Sequence, residues 1–177
     1  MFLETIILAV LVGLITGGRL TNLGRLDFRY FYLVIAAYLI QAGIDHWGPV
    51  RSFGGYPYLH VISYFILFFV LWQNRRMPGM YLVSTGTLLN FIVIILNGGQ
   101  MPVSPHTLPA ELSQALAAGD GGTHNLITEN TSLKFLADIF YVGYLNQNQL
   151  ISIGDIVIDI GAFLLVFRGT RRVRSLE

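Results

Sequence analysis

Met80–Leu96 reads MYLVSTGTLLNFIVIIL, seventeen consecutive positions without a charged side chain. At 1.5 Å per residue such a helix is about 25 Å long, and a borrowed turn brings it to the ~30 Å of a hydrocarbon layer. Residues 2–17, 30–44, 58–72 and 151–167 are likewise apolar and uncharged or nearly so. The expected fold is therefore an all-α, polytopic membrane bundle of five transmembrane helices, built as one integral membrane domain over residues 1–177. Composition points the same way: 54% of the 177 residues are hydrophobic and 12% charged, against about 25% charged in a typical soluble domain. The net charge of +1 gives no basis for nucleic-acid binding. The chain contains no cysteine, which excludes disulfides, thiolate metal sites and a cysteine nucleophile. The first stretch carries Glu4 where a signal peptide would be basic, and no A-x-A site follows, so it reads as a permanent helix.

Basic residues set the orientation, because Lys and Arg are retained on the cytoplasmic side of short connections. Arg19, Arg25, Arg29, Arg75, Arg76, Arg168, Arg171, Arg172 and Arg174 fall on one side, leaving only Arg51 and Lys134 of the eleven on the other. The expected topology in a bacterial cytoplasmic membrane has the N-terminus outside and the C-terminus inside. Residues 97–150 then form an outward-facing cap loop between the fourth and fifth crossings. Apolar spacing predicts two short helices in it, at 109–118 and 132–141, lying at the interface or over the bundle mouth.

Polar residues cluster at the outer ends of these helices. Glu4, Gln41, Asp45, His46, His60, Asn97 and Asp155 all fall there, with Asn90 and Asp159 about two turns deeper. The inner halves carry almost nothing comparable. Asp155 and Asp159, four apart, share a helix face and must meet protein or water, since a carboxylate facing lipid costs about 2.5–3.5 kcal/mol at mid-bilayer. Asp155 has a second reading as a helix cap after Ser152 and Gly154. The expected pocket holds Glu4, Asp45, His60, Asn97, Asp138, Asp155 and Asp159, open to a small ligand or to another membrane subunit. Gly98 and Gly99 supply the turn out of the fourth helix, and Met101-Pro102 folds the cap back over Asp155, Glu4 and His60.

His46, His60, His106 and His124 lie on the outer side but lack metal-ligand spacing, and no metal or other cofactor is expected. Ser104-Pro105-His106 and Gly122-Thr123-His124 offer no catalytic triad, and there is no glycine-rich phosphate loop. Ala9, Gly13 and Gly17 leave a smooth face on the first helix for close packing. Phe28, Tyr30, Phe53, Tyr56 and Tyr58 read as interfacial anchors.

The string Asn97-Gly98-Gly99-Gln100-Met101-Pro102-Val103-Ser104, with Leu136-Ala137-Asp138-Ile139, Ser152-Ile153-Gly154-Asp155 and Asn74-Arg75-Arg76-Met77-Pro78-Gly79, resembles a family of small bacterial integral membrane proteins known only as a domain of unknown function. The resemblance covers most of the chain. It marks Asn97, Gly98, Gly99, Met101, Pro102, Asp138, Gly154 and Asp155 as family positions and implies no activity. The last third is also similar to the closing motifs of lipoprotein signal peptidases, which activate water with two membrane-boundary aspartates. Thr128 stands where that family's first catalytic aspartate is expected, so a dyad with Asp155 would recruit Asp138 or Asp159. The expectation is a non-enzymatic binding or accessory subunit, with an aspartyl hydrolase or a small substrate-binding transporter component as alternatives.

Overall fold

The computed structural model describes residues 2–47, 54–105, 108, 110–144 and 147–171. Arg51, Phe53, His106, Pro109, Arg172 and Arg174 lie outside the described residues. The chain is mostly helical: α1 (Phe2–Ile15), α2 (Leu20–Leu23), α3 (Phe31–His46), α4 (Tyr56–Gln73) and α5 (Met80–Leu96) precede a mixed segment that leads into the last helix. That segment contains β1 (Met101–Val103), α6 (Ala110–Ala117), β2 (His124–Leu126), a 3-10 turn (Lys134–Leu136) and the hairpin β3 (Phe140–Tyr144) and β4 (Gln147–Ile151). The closing helix is α7 (Ile153–Thr170). By length and composition α4 is apolar enough to cross a membrane, and α1, α3 and α5 are apolar but shorter.

Helix ends follow local chemistry. Pro57 enters α4 in its first turn, where a missing N–H breaks no intrahelical bond. Beyond α5, Gly98 and Gly99 take left-handed backbone at φ 73° and 86°, turning the chain sharply back over the bundle. Ser152 caps α7 through a reciprocal box: its hydroxyl accepts from Asp155 N at 3.0 Å, and Asp155 Oδ2 accepts from Ser152 N at 2.9 Å.

The helices bury small and polar residues together with a few aliphatic ones such as Ile44, Val70, Val93 and Ile94, and they leave many large apolar side chains exposed. Between α5 and α7, glycines let the backbones touch: a Cβ on Gly86 would strike the Gly154 carbonyl, and one on Gly79 the Gly161 carbonyl. On α1, Ala9 is fully buried and Gly13 lies against Thr170 of α7, as the small-residue face predicts. Gly17 has open space around it, however, and Gly18 takes its place against Thr170. His60, Ser63, Thr87, Asn90 and Asp159 are buried among the helices, whereas Ile7, Leu11, Tyr38, Leu39, Phe65, Trp72, Tyr81 and Ile95 are exposed.

The segment between α5 and α7 departs from its expected form. Its first helix is present as α6, but 132–141 forms the 3-10 turn and the start of β3. Leu133 sits at φ 51°, which interrupts a helix, and its side chain packs with Val93, Ile94, Met101 and Leu136. Asp138 N then donates to Pro102 O, and Ser104 N donates to Asp138 O, both at 3.0 Å. The apolar spacing thus reports a surface that covers the end of α5, not a helix. β1 is the middle of this cap. It pairs in parallel with β2, Met101 opposite His124, and bridges to Asp138 on its other side. Pro102 is tolerated there because its carbonyl still accepts from Asp138.

Candidate functional site

Beneath the cap lies a cavity of about 190 Å³, walled by α3, α4, α5, α7 and the cap. Gln41 comes from α3, His60 and Tyr64 from α4, Asn90 and Ile94 from α5, and Asp155 from α7. The cap adds Met101, Thr123, His124, Asp138 and Leu150. The α5–α7 glycine seam makes this convergence possible: Gly154 lies against Gly86 and the Asn90 side chain, bringing the start of α7 onto Asn90. Asn90 Nδ2 donates to Asp155 Oδ1 at 2.8 Å and Asn90 Oδ1 accepts from Ser152 Oγ at 2.8 Å. Asp155 therefore closes the capping box opposite the cap residue Ser152 and also walls the cavity.

His60 holds the opposite wall. Its Nδ1 is 2.7 Å from Gly99 O, which makes Nδ1 the protonated nitrogen and leaves Nε2 as an acceptor. Its ring meets Tyr64 edge-on at 5.5 Å. Below it, Ser63 Oγ donates to His60 O at 2.6 Å and accepts from Gln41 Nε2 at 2.8 Å, tying α4 to α3.

Asp138 is the least satisfied group in the site. Its backbone is pinned beside β1, and its side chain is 8% exposed. Oδ2 lies 3.7 Å from His124 Nε2, while Oδ1 is buried without a hydrogen-bond partner among the described residues. Burial pushes the Asp138 carboxyl up to about 8, and the Asp155 charge adds to the rise. Burial also pushes His124 down, against a pull upward from Asp45 and Asp155. Near neutral pH the two groups thus meet as neutral partners rather than as an ion pair.

The expected pocket divides into three places. His60, Asp138 and Asp155 line the cavity, together with Met101 of the cap motif. Asp45 instead anchors the cap from outside the lining, its Oδ1 accepting from Thr123 N at 2.8 Å and Thr123 Oγ1 at 2.7 Å. Asn97 clamps the loop: Nδ2 donates to Ser132 O at 3.1 Å, and Oδ1 accepts from Ser132 N at 2.9 Å. Glu4 and Asp159 belong elsewhere, between α1 and α7. Asp159 Oδ2 accepts from Thr5 Oγ1 at 3.0 Å, and Glu4 is near enough for the two charges to interact. The cap consequently covers Asp155 and His60 but not Glu4. Gly99 rests on Pro57, which leaves no room for a side chain there.

Sequence reasoning picked out Gln41, Asn90 and His124 as polar positions without joining them to the pocket, and it passed over Tyr64 and Thr123. Tyr64 follows His60 by four residues, a spacing that would have placed both on one face. Thr123 carries no such signal. His46 bonds to Ala42 O, away from the cavity. Among the described residues no three His, Asp or Glu side chains converge as metal ligands.

The model of a family of unknown function, DUF5317, matches residues 25–167. The chain belongs to this family. An uncharacterized protein of Thermotoga maritima is 30% identical over 166 residues, covering 93% of this chain and 89% of its own. No solved structure matches. The DUF5317 match contains every cavity residue and Asp159, while Glu4 and Thr5 precede it.

Proposed function

We propose that this chain is a five-crossing protein of the bacterial cytoplasmic membrane, N-terminus outside, and that it binds a small polar ligand in the cavity beneath the cap of residues 97–150. Large apolar side chains on the outer faces of α1, α3, α4 and α5 support a lipid surround, since a soluble monomer rarely exposes so continuous a belt. The arginines support the orientation. Arg19 N bonds to Thr170 O, and Arg29 N bonds to Asn74 Oδ1, so both stand at the helix ends opposite the cap. The binding reading is carried by one observation: Asp138 Oδ1 is a buried, unpartnered acceptor on the wall of a cavity, and such an atom normally has a partner. Native mass spectrometry on the protein extracted in mild detergent tests it. The expected result is a bound mass below about 1 kDa in the native chain and none in Asp138→Asn. A stoichiometric second polypeptide in its place would make the site a subunit contact instead.

A second reading is favoured by the meeting of Asp138 and Asp155 at one cavity. Asp155 accepts hydrogen bonds at both oxygens, whereas the raised Asp138 retains a proton, the division of labour of a general base and a general acid. In amide hydrolysis Asp155 would take a proton from water, whose oxygen adds to the carbonyl carbon, and Asp138 would deliver its proton to the departing nitrogen. Incubation with a membrane-anchored peptide library reads this directly. Cleavage lost in both Asp138→Asn and Asp155→Asn supports a hydrolase, and intact peptides beside a bound small mass leave the binding reading alone.

A further inference from the structure

We propose that the ligand of this cavity is a small organic ammonium ion, and that its entry displaces a proton from Asp138; the inference rests on the binding reading above. The wall is rich in acceptors. Asp138 Oδ1 is unpartnered, Asp155 contributes a second carboxylate, and the Nδ1–H bond of His60 leaves Nε2 as a further acceptor. Among the described lining residues there is no Lys or Arg to receive an anion. A metal ion fits poorly, because the acidic and histidine side chains surround the space without converging. An ammonium group meets these conditions: it brings charge and up to three N–H donors for the two acidic side chains and the histidine of the lining.

The exchange balances. Protonated Asp138 and an incoming R–NH3+ become carboxylate and bound R–NH3+, one proton leaves to water, and no covalent bond changes. The groups facing Asp138 decide the pH dependence. Asp155 on α7 raises the carboxyl, burial raises it further, and His124 on β2 stands beside it, itself held low by burial. His60 and Tyr64 on α4 share the cavity, and Asp45 on α3 approaches through Thr123. Binding should therefore tighten as pH rises, by about fivefold between pH 7 and 8, and level off once Asp138 has titrated. Below that window protonation of His124 opposes the cation as well.

Isothermal calorimetry on the full chain in lipid nanodiscs tests this, with ethylammonium as probe and acetamide as a neutral molecule of similar size. A three-heavy-atom ligand has a ceiling near a Kd of about 1 mM. We expect ethylammonium to approach it at pH 8, to bind about fivefold more weakly at pH 7, and to release about one proton at pH 7, read from two buffers of different ionisation heat. Asp138→Asn should abolish the release and weaken binding at least tenfold. The pH series on the native chain stands even if that variant misfolds. Acetamide binding at least as tightly, or ethylammonium binding without pH dependence, overturns the inference and leaves the pocket. Silence from both probes beside a native bound mass does the same, and silence without any such mass removes both readings.

Discussion

Asp155 and Asp159 stand one turn apart on α7, yet they face different neighbours. Asp155 meets Asn90 of α5 and the capped cavity, whereas Asp159 meets Thr5 of α1. Four residues advance a helix by only about 40° around its axis, but α7 lies in the seam between two helices, and that small rotation carries a side chain from one to the other. The difference is one of support. Asp155 is held at one oxygen by the Asn90 side chain and at the other by the Ser152 backbone amide, both inside the family match; Asp159 has, among the described residues, one hydroxyl donor, from a residue that precedes the match. A shared helix face therefore does not imply a shared site.

Breaking the seam should have the largest effect. Gly86→Leu drives a side chain into the Gly154 backbone, and we expect a loss of 3 kcal/mol or more, seen as aggregation in size-exclusion chromatography. Gly13→Leu, which meets the Thr170 side chain, should cost less. Asn90→Leu strips partners from both Asp155 and Ser152 and should destabilise by about 3 kcal/mol in thermal melts, with wild-type-like melting counting against the network. Next comes pH. A carboxyl raised to about 8 on folding is protonated in the native chain and ionised in the unfolded one, so stability falls as pH rises towards 8. Between pH 6.5 and 8 the loss should be about 2 kcal/mol, and absent in Asp138→Asn. On the α1 side, Thr5→Val should cost only about 1 kcal/mol; a larger cost than Asn90→Leu would invert the ranking of the two acids. Gly43→Ala, in α3 with open space around it, should raise stability by about 0.5 kcal/mol.

The helices were readable because an apolar run with few or no charges has few other uses: 80–96 is α5 to the residue, and the ends of the remaining runs shift by at most three positions. The capping of α7 was readable from Ser152 and Asp155 alone. The cap was not. Its helix-like spacing at 132–141 serves a left-handed Leu133 and a strand contact at Asp138, and both depend on β1, thirty residues earlier in the chain. Grouping the polar residues by depth put together His60, Asp138 and Asp155, which line one cavity, but could not see direction around the helix. Glu4 and Asp159 lie at suitable depth on the α1 side, and Asp45 and Asn97 spend their side chains on Thr123 and Ser132.

The bond between Asn90 and Asp155 joins positions 65 residues apart. On a growing chain, Asn90 is therefore made long before the groups that satisfy it, and the intervening loop must already have been exported in the proposed topology. Arrival of the final helix then settles a waiting amide, seats Ser152 and closes the chamber in a single event. A nascent polypeptide stopped short of residue 155 would keep that amide unanswered, a mark by which cellular quality control could tell an unfinished molecule from a complete one.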